Sequence, residues 1–242
     1  MLSIWIVFRR ELARYFNSLI YYWVAAAFLA LAGFTFYADL TLSVTLRAVS
    51  PQAVPVFLAL GLVFFAPILT MRAFAEERRE GTMELLLTAP VPDTMIVLGK
   101  FLSAWCFLSI LLVISYLTLP LLLAFNQRPD LGHGIAAYSG IWLYGGAALA
   151  IGMMFSAATE NQIVAAFLSS SLLLVFYLGN LVGQVVPNIQ LASLIRELSF
   201  MGHFEGSFAV GVILLEDMVY FVGVMIFALY ICTQFVASQR WG

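Results

Sequence analysis

Charged residues are scarce in this chain of 242 residues. Asp, Glu, Lys and Arg together make up only 10% of it, whereas hydrophobic residues make up 63%. A soluble domain has about a quarter charged residues, so the composition excludes an ordinary soluble protein and indicates an integral membrane protein. The net charge of -2 is too small to favour nucleic acid as a partner.

The residue types that build catalytic and metal sites are also scarce. The two cysteines, Cys106 and Cys232, fall inside different apolar runs, where cysteine is usually a small buried hydrophobic residue. The two histidines, His133 and His203, are far apart in sequence, which leaves a metal site or a catalytic pair only as a minor alternative. The chain has no G-x-x-x-x-G-K-[ST] loop, no H-E-x-x-H and no G-x-S-x-G motif. We therefore expect it to hold neither a catalytic centre nor a cofactor of its own.

Six apolar runs are long enough to cross a bilayer, which requires about 20 residues. They cover approximately residues 19–37, 53–71, 96–125, 135–155, 163–186 and 218–237. Before them, residues 3–17 are predicted to form an amphipathic helix along the membrane surface. Its predicted apolar stripe comprises Ile4, Trp5, Phe8, Leu12, Tyr15 and Phe16. Residues 188–215 are predicted to form short helices that dip into the outer face.

The basic residues predict the orientation of these spans. If the N-terminus is cytoplasmic, eight of the 11 basic residues lie on the cytoplasmic side and Arg47, Arg128 and Arg196 lie outside. Because cytoplasmic loops carry an excess of Lys and Arg, we expect both termini in the cytoplasm. The sequence shows no internal repeat, and we expect residues 1–242 to form a single all-α transmembrane domain.

A charged segment separates the second apolar run from the third. Seven charged residues lie between Arg72 and Glu84, a density that is costly in hydrocarbon, so the segment should lie in water or at the interface. Gly81 interrupts it, and Thr82 stands in the N-cap position of a following short helix. The apolar residues of that helix lie outside the membrane and are Met83, Leu85, Leu86 and Leu87. This pattern favours docking to another protein, with burial in the membrane interface as the alternative.

Polar residues inside the apolar runs are few. Their scarcity disfavours a proton-driven carrier, which usually needs buried ionisable groups. Tyr177, Asn180 and Gln184 share one face of the fifth run and predict either hydrogen bonds between helices or a substrate pathway. The pair Glu216 and Asp217 opens the sixth run, as a charge at a helix N-terminus or as a contact to a cation or substrate.

Two stretches resemble a known family. EERREGTMELLLTAPV, which begins at Glu76, together with GKF from Gly99, resembles the ABC-2 type permeases, especially those of gliding-motility-associated and related bacterial ABC transporters. The stretch from Leu198 to Tyr220 is similar to the segment before the last span in the same group. The resemblance implies two permease chains facing each other, each resting on a cytoplasmic ATPase subunit that binds ATP and magnesium.

The resemblance also implies roles for particular residues. The loop between spans two and three looks like the coupling helix, so the expected ATPase-coupling residues are Glu76, Glu77, Arg78, Arg79, Gly81, Thr82, Met83, Glu84, Leu85, Leu86, Leu87 and Thr88. Spans two and five would line a central path, with Tyr177, Asn180 and Gln184 as candidate pathway residues. The segment capping that path outside would include His203, Phe204, Glu205, Glu216 and Asp217. Relatives often carry Asp where this chain has Leu214 or Leu215, so an acidic role there would move to Glu216.

We therefore expect a permease subunit of an ATP-driven exporter in a bacterial inner membrane. Its expected partners are two ATPase subunits, a second permease chain of the same or similar kind, and an envelope accessory protein where one exists. ATP hydrolysis is expected in the separate subunit and not in this chain. The alternative is a mechanotransmitter or scaffold that controls an envelope partner without moving substrate. An intramembrane enzyme is disfavoured, because the sequence shows no catalytic constellation.

Overall fold

The computed structural model describes residues 2–46, 51–82, 91–120 and 130–239, and within these ranges it contains ten α-helices and no strand. The helices are α1 Leu2–Asn17, α2 Leu19–Leu46, α3 Ala53–Thr70, α4 Ala75–Arg79, α5 Asp93–Tyr116, α6 Leu131–Ala158, α7 Gln162–Val185, α8 Ile189–Leu198, α9 Phe200–Gly206 and α10 Leu215–Ser238, with a 3-10 turn at Phe208–Val210. Six of them, α2, α3, α5, α6, α7 and α10, are long and apolar enough to cross a membrane. The all-α prediction with six spans is confirmed.

Side-chain caps mark the starts of four helices. Asp130, Asn161, Asn188 and Ser199 precede α6, α7, α8 and α9, and the side chain of each accepts hydrogen bonds from backbone N–H groups of the first turn. Such caps satisfy donors that have no partner inside the helix. Asn161 therefore fixes the tight turn between spans four and five.

Helix α6 is the centre of the bundle and packs against α3, α5, α7 and α10. Its small residues allow this close packing. Gly145 faces Leu108 of α5, and Gly152 faces the hydroxyl of Thr70 on α3 so closely that an added methyl group would collide with it. Small residues of this kind let membrane helices approach one another closely.

The segment before the last span is made of short helices, as predicted, and it is packed into the bundle. Phe200, Phe204 and Phe208 are fully buried, and the ring of Phe200 lies edge-on to Tyr144 of α6 with 5.2 Å between ring centroids. Because large buried aromatic side chains contribute strongly to core packing, this segment, predicted to lie at the outer face, is held firmly against spans four and five.

The N-terminal helix α1 lies along α5 and turns one face into the bundle. Val7, Glu11 and Tyr15 are buried, whereas Trp5 is 61% exposed and Phe16 is 39% exposed. The prediction of a helix over residues 3–17 is confirmed, and of its predicted apolar stripe Tyr15 is buried in the bundle while Trp5 and Phe16 stay exposed on its surface. The acidic Glu11 faces the bundle, where it pairs with the buried side chain of Lys100.

Candidate functional site

A buried lysine organises the end of the bundle at which α1 and α4 lie. Lys100, in the second turn of α5, is only 2% exposed. Its ammonium group donates to the carbonyl oxygen of Ala73 at 2.7 Å, to Glu77 at 2.8 Å and to Glu11 at 3.3 Å. An ammonium group has three donors, so this arrangement satisfies all of them. Lys100 thereby joins α5, α1 and the segment that follows span two.

Glu11 is the partner that α1 contributes to this centre. Burial tends to raise the pKa of its carboxyl group, but the charge of Lys100, the hydrogen bond from Arg10 and the charge of Arg14 together outweigh burial, so the pKa is lowered. Glu11 is therefore ionised at neutral pH. The buried charge of Lys100 is compensated by carboxylates on both sides, which a buried ion requires.

Tyr15 fastens α1 to the end of span two. Its hydroxyl donates to the carbonyl oxygen of Leu69, on α3, at 3.2 Å. Burial raises the pKa of Tyr15 well above its ordinary value, so the hydroxyl keeps its proton and remains a donor. The interfacial helix is thus tied to two spans and does not lie free on the membrane surface.

The short helix α4 is anchored by span four. The hydroxyl oxygen of Ser156, near the end of α6, accepts from the backbone N–H groups of Phe74 and Ala75 at 3.1 and 3.2 Å. The same hydroxyl donates to the carbonyl oxygen of Met71 at 3.0 Å. Ser156 therefore serves as the N-cap that the residues next to α4 do not provide.

Two arginines complete the anchoring. Arg14 of α1 pairs with Glu76, and Arg78 donates to the carbonyl oxygen of Ala157 at 3.1 Å. Arg78 also pairs with Glu160 at 3.2 Å, an exposed partner that adds little. We call residues 71–82 with their contacts to Glu11, Arg14, Lys100 and Ser156 the charged anchor.

The predicted ATPase-coupling residues divide into three groups. Glu76, Glu77 and Arg78 are partly buried, and their charged groups are engaged within the chain. Arg79, Gly81 and Thr82 are exposed, and Gly81 has a φ of +70°, which favours glycine where α4 ends. The remaining predicted residues, Met83, Glu84, Leu85, Leu86, Leu87 and Thr88, lie outside the described residues, as does the proposed helix that they form.

The candidate pathway residues lie on α7 towards the outer segment. Asn180 donates to the carboxylate of Glu205 on α9 at 2.8 Å. Tyr177 is half-buried, and Gln184 is exposed and lines a small cleft with Arg196 of α8. Of the two interpretations left open for these residues, hydrogen bonding between helices describes Asn180 in this structure.

The outer-face residues form a second polar cluster. His203 lies with Nδ1 2.6 Å from Asp217 and Nε2 2.8 Å from the carbonyl oxygen of Glu197. Its ring stacks on Tyr220 with 3.8 Å between centroids. Phe204 is buried in the aromatic core beside it. The cluster therefore clamps α8 and α9 onto the start of span six.

Of the acidic pair at the start of span six, Asp217 is the engaged member. Asp217 is 6% exposed and meets His203, whereas Glu216 is exposed. The described part of the chain makes no contact that gives Glu216 the expected acidic role, so that role stays a prediction. Within the described ranges, no group of three or more His, Cys, Asp or Glu residues is placed to hold a metal ion.

Sequence reasoning missed Glu11 and Ser156. Glu11 interrupts the apolar pattern of α1, and a single acidic residue on the face of an interfacial helix is a signal for a basic partner in the adjoining span. Ser156 has no such signal, because a serine in a membrane helix usually bonds its own backbone. Only the tertiary structure shows that its hydroxyl caps α4.

Comparison with protein families shows the family to which the chain belongs. A family model described as "ABC-2 family transporter protein" matches residues 5–201, from α1 into α9. The chain belongs to the ABC-2 transporter family. It is accordingly a multi-pass membrane protein and a permease component of ABC transporters, a class that works with ATP-binding subunits. No curated protein matches the chain.

Proposed function

We propose that this permease is the membrane-spanning subunit of an ATP-driven exporter of the gliding-motility-associated group and its relatives. Two copies, or this chain and a similar one, face each other in a bacterial inner membrane, and each rests on a cytoplasmic ATPase subunit that holds ATP and magnesium. Residues 76–88 form the coupling element. Residues 1–242 form one transmembrane domain, and no nucleic acid is involved.

The charged anchor is the observation that carries this proposal. Residues 71–82 lead directly into the segment that resembles the coupling helix, and they are fixed to α1, α5 and α6 by buried polar contacts. A displacement of residues 83–88 by an ATPase is thereby passed to three helices at once. Rigid elements joined in this way can transmit a local push into a rearrangement of spans.

Two substitutions in the coupling segment test docking. Leu86→Asp places a carboxylate in the proposed ATPase groove, at a cost of several kcal/mol when buried without a partner. Glu84→Lys reverses a charge that we propose pairs with a basic residue of that groove. We expect both variants to insert into the membrane but to lose co-purifying ATPase and stimulated ATP hydrolysis. Leu191→Asp is the matched control, because Leu191 is 53% exposed on α8 at the other end of the bundle.

Two results separate docking from its alternative. A helix that lies in the membrane interface should tolerate Glu84→Lys, because lysine is attracted to anionic lipid. Normal ATPase retention in both variants would therefore reject docking and leave an interfacial helix. If Leu191→Asp also loses the ATPase, the loss in the two coupling-segment variants reflects general damage to the permease. It would then not support docking.

Pairing of two permease chains is supported by the exposed spans. Helix α7 is covered least of the six spans, with Phe167 71% and Val175 65% exposed. Such surfaces face lipid or a second chain, and a twofold arrangement would cover part of them. Mass measurement of the complex in detergent tests the pairing, and a stable particle with one permease per ATPase pair would contradict it.

Orientation is tested by cysteine labelling in a background of Cys106→Ser and Cys232→Ser. Glu80→Cys lies on the exposed end of the charged anchor, and Ser193→Cys lies exposed on α8. We expect impermeant reagents added outside to label position 193 and to leave position 80 unlabelled. The reverse pattern would place the charged anchor outside and exclude ATPase docking there.

Mechanotransmission is the second candidate function, and one contact favours it. The amide of Asn180, a candidate pathway residue, is bonded to Glu205 of the outer segment, which links span five to the outer face. A continuous cavity between the two permease chains in one nucleotide state would establish transport. An interface sealed by Phe and Leu in every nucleotide state would establish transmission.

A further inference from the structure

An open apolar cleft lies between the N-terminal helix and spans three and four. Its volume is about 610 Å³, and its walls include Trp5 and Phe8 of α1, Trp105 and Cys106 of α5, and Trp142 of α6. It begins at Leu102, two residues beyond the buried ammonium group of Lys100. The cleft therefore opens just inside the charged end of the bundle.

The indole N–H groups of Trp105 and Trp142 in the cleft walls are engaged within the chain. The indole N–H of Trp105 donates to the carbonyl oxygen of Trp142 at 3.2 Å, and the indole N–H of Trp142 donates to Ser109 at 2.8 Å. The two indole rings stack with 4.3 Å between centroids. The cleft thus offers mostly carbon surface, with the indole donors of Trp105 and Trp142 engaged, which suits a hydrocarbon chain better than a polar ligand.

A second cleft continues the first towards the other end of the bundle. Its volume is about 340 Å³, it shares Ser109 and Trp142 with the first, and it extends to Tyr116 and Ile135. From Leu102 to Tyr116 the α5 helix rises about 21 Å, at 1.5 Å per residue. The hydrocarbon of one leaflet is about 15 Å thick, half of a bilayer core, so the joined clefts are long enough for a whole acyl chain.

A cation lies at the charged end of this groove. Arg9 is exposed and follows Trp5 by four residues, so both side chains lie on the same face of α1. Arg10 and Arg14 pair with acidic residues, whereas Arg9 makes no ion pair with any residue in the described ranges. The groove therefore combines an apolar surface with an exposed arginine that no acidic residue of the described ranges neutralises.

We propose that this groove is a binding site for an anionic phospholipid, with one acyl chain between α5 and α6 and the phosphate beside Arg9. Ordinary bilayer lipid touches every exposed span, but the groove retains a lipid selected by its headgroup charge.

Fluorescence quenching by brominated lipid tests the site in the full-length permease reconstituted into vesicles. The reporter keeps Trp105 and Trp142 and carries Trp5→Phe, Trp23→Phe and Trp241→Phe. The control reporter keeps only Trp23, which is 71% exposed on α2 and faces ordinary lipid. Vesicles contain phosphatidylcholine with a small fraction of phosphatidylglycerol. The bromine is carried either by the phosphatidylglycerol or by an equal fraction of the phosphatidylcholine.

We expect the groove reporter to be quenched by dilute brominated phosphatidylglycerol at least about twofold more than the Trp23 reporter, because headgroup attraction enriches the anionic lipid. Arg9→Gln should remove this excess, and Cys106→Phe should reduce it by filling the groove. Arg79→Gln, at an exposed arginine outside the groove, is the matched control and should retain it.

Three results would overturn the proposal. Quenching that follows the bulk lipid fraction for both reporters would show ordinary surrounding lipid only. Equal enrichment of brominated phosphatidylcholine would reject selection by charge. Absence of quenching in the groove reporter, with normal quenching of Trp23, would show that protein and not lipid covers the groove. None of these results depends on ATPase docking.

Discussion

The ammonium nitrogen of Lys100 lies 2.8 Å from a carboxylate oxygen of Glu77, and both groups are largely buried. Lys100 stands at the start of span three, and Glu77 belongs to the short helix that follows span two. The contact therefore fixes the two ends of the loop that carries the proposed coupling segment. Glu11 of α1 completes the centre from the other side.

Replacing Lys100 tests how much this ion cluster stabilises the folded chain. Lys100→Met keeps much of the side-chain length but removes the buried cation that Glu11 and Glu77 share, so we expect the free energy of unfolding to fall by about 3–5 kcal/mol. Denaturant or thermal unfolding in detergent measures the loss. Arg10→Gln is the control, because Arg10 is 58% exposed and its pair should contribute at most about 1 kcal/mol.

A triple variant distinguishes a buried charge imbalance from a change of shape. Lys100→Met with Glu11→Gln and Glu77→Gln removes all three charges together, and neutral or apolar replacements of a whole buried ion cluster are often tolerated. We expect it to be more stable than Lys100→Met alone. If it is less stable than the single variant, the shape of the lysine side chain and not its charge is what the bundle requires.

The pKa of Glu11 predicts an acid-dependent loss of stability. Because its pKa in the folded chain is lowered from the ordinary value of 4.5, ionised Glu11 stabilises the folded state above that pH. The contribution is lost as the pH falls through the lowered folded-state value. We expect the melting temperature of the wild type to fall more steeply below pH 4.5 than that of Glu11→Gln. The exposed Glu216→Gln serves as control, and a Glu11→Gln curve parallel to the wild type would contradict the assignment.

The spans could be predicted from sequence because their signal is local. Runs of apolar residues and side-chain caps such as Asn161 depend only on neighbouring positions in the sequence. The structure accordingly places span five at Gln162–Val185, directly after Asn161. The small residues of span four were equally informative, since close helix approach in membranes requires them. These features specify the layout of six spans without any knowledge of tertiary contacts.

The charged anchor could not be predicted because its contacts join distant positions. Glu11 and Lys100 are 89 residues apart, and Phe74 and Ser156 are 82 residues apart. Charge density alone placed residues 76–78 in water, whereas the structure shows that partners within the chain let them be partly buried. Pairing between distant elements determines whether such charged residues are buried. The hydropathy pattern of the sequence does not show that pairing.

Close packing of spans two and four predicts an effect of adding one methyl group. Gly152→Ala would place a carbon against the hydroxyl of Thr70, and overpacking of this kind typically costs about 1–3 kcal/mol. We expect a lower melting temperature, with recovery in the double variant Gly152→Ala with Thr70→Ala. Gly223→Ala is the matched control, because no neighbouring atom lies within 4 Å of its added methyl group. Equal effects at both glycines would exclude the packing explanation.

The clamp between His203 and Asp217 predicts local loosening of the outer segment. His203→Phe keeps a ring that can stack on Tyr220 but removes the contacts to Asp217 and to the carbonyl oxygen of Glu197. An unpartnered buried polar group costs about 1–3 kcal/mol, which corresponds to roughly 5- to 150-fold in the opening equilibrium. Hydrogen exchange of α8 and α9 should therefore accelerate by about that factor, while α3 and α6 remain protected.

Two further variants decide whether the clamp acts through the buried carboxylate. Glu216→Gln, at the exposed neighbour of Asp217, should leave exchange in α8 and α9 unchanged. His203→Phe combined with Asp217→Leu removes both polar partners, so it should restore part of the protection that His203→Phe loses, because no buried carboxylate remains unpaired. Faster exchange in the double variant than in His203→Phe would mean that Asp217 stabilises the start of span six by itself, as an acidic residue at a helix N-terminus can.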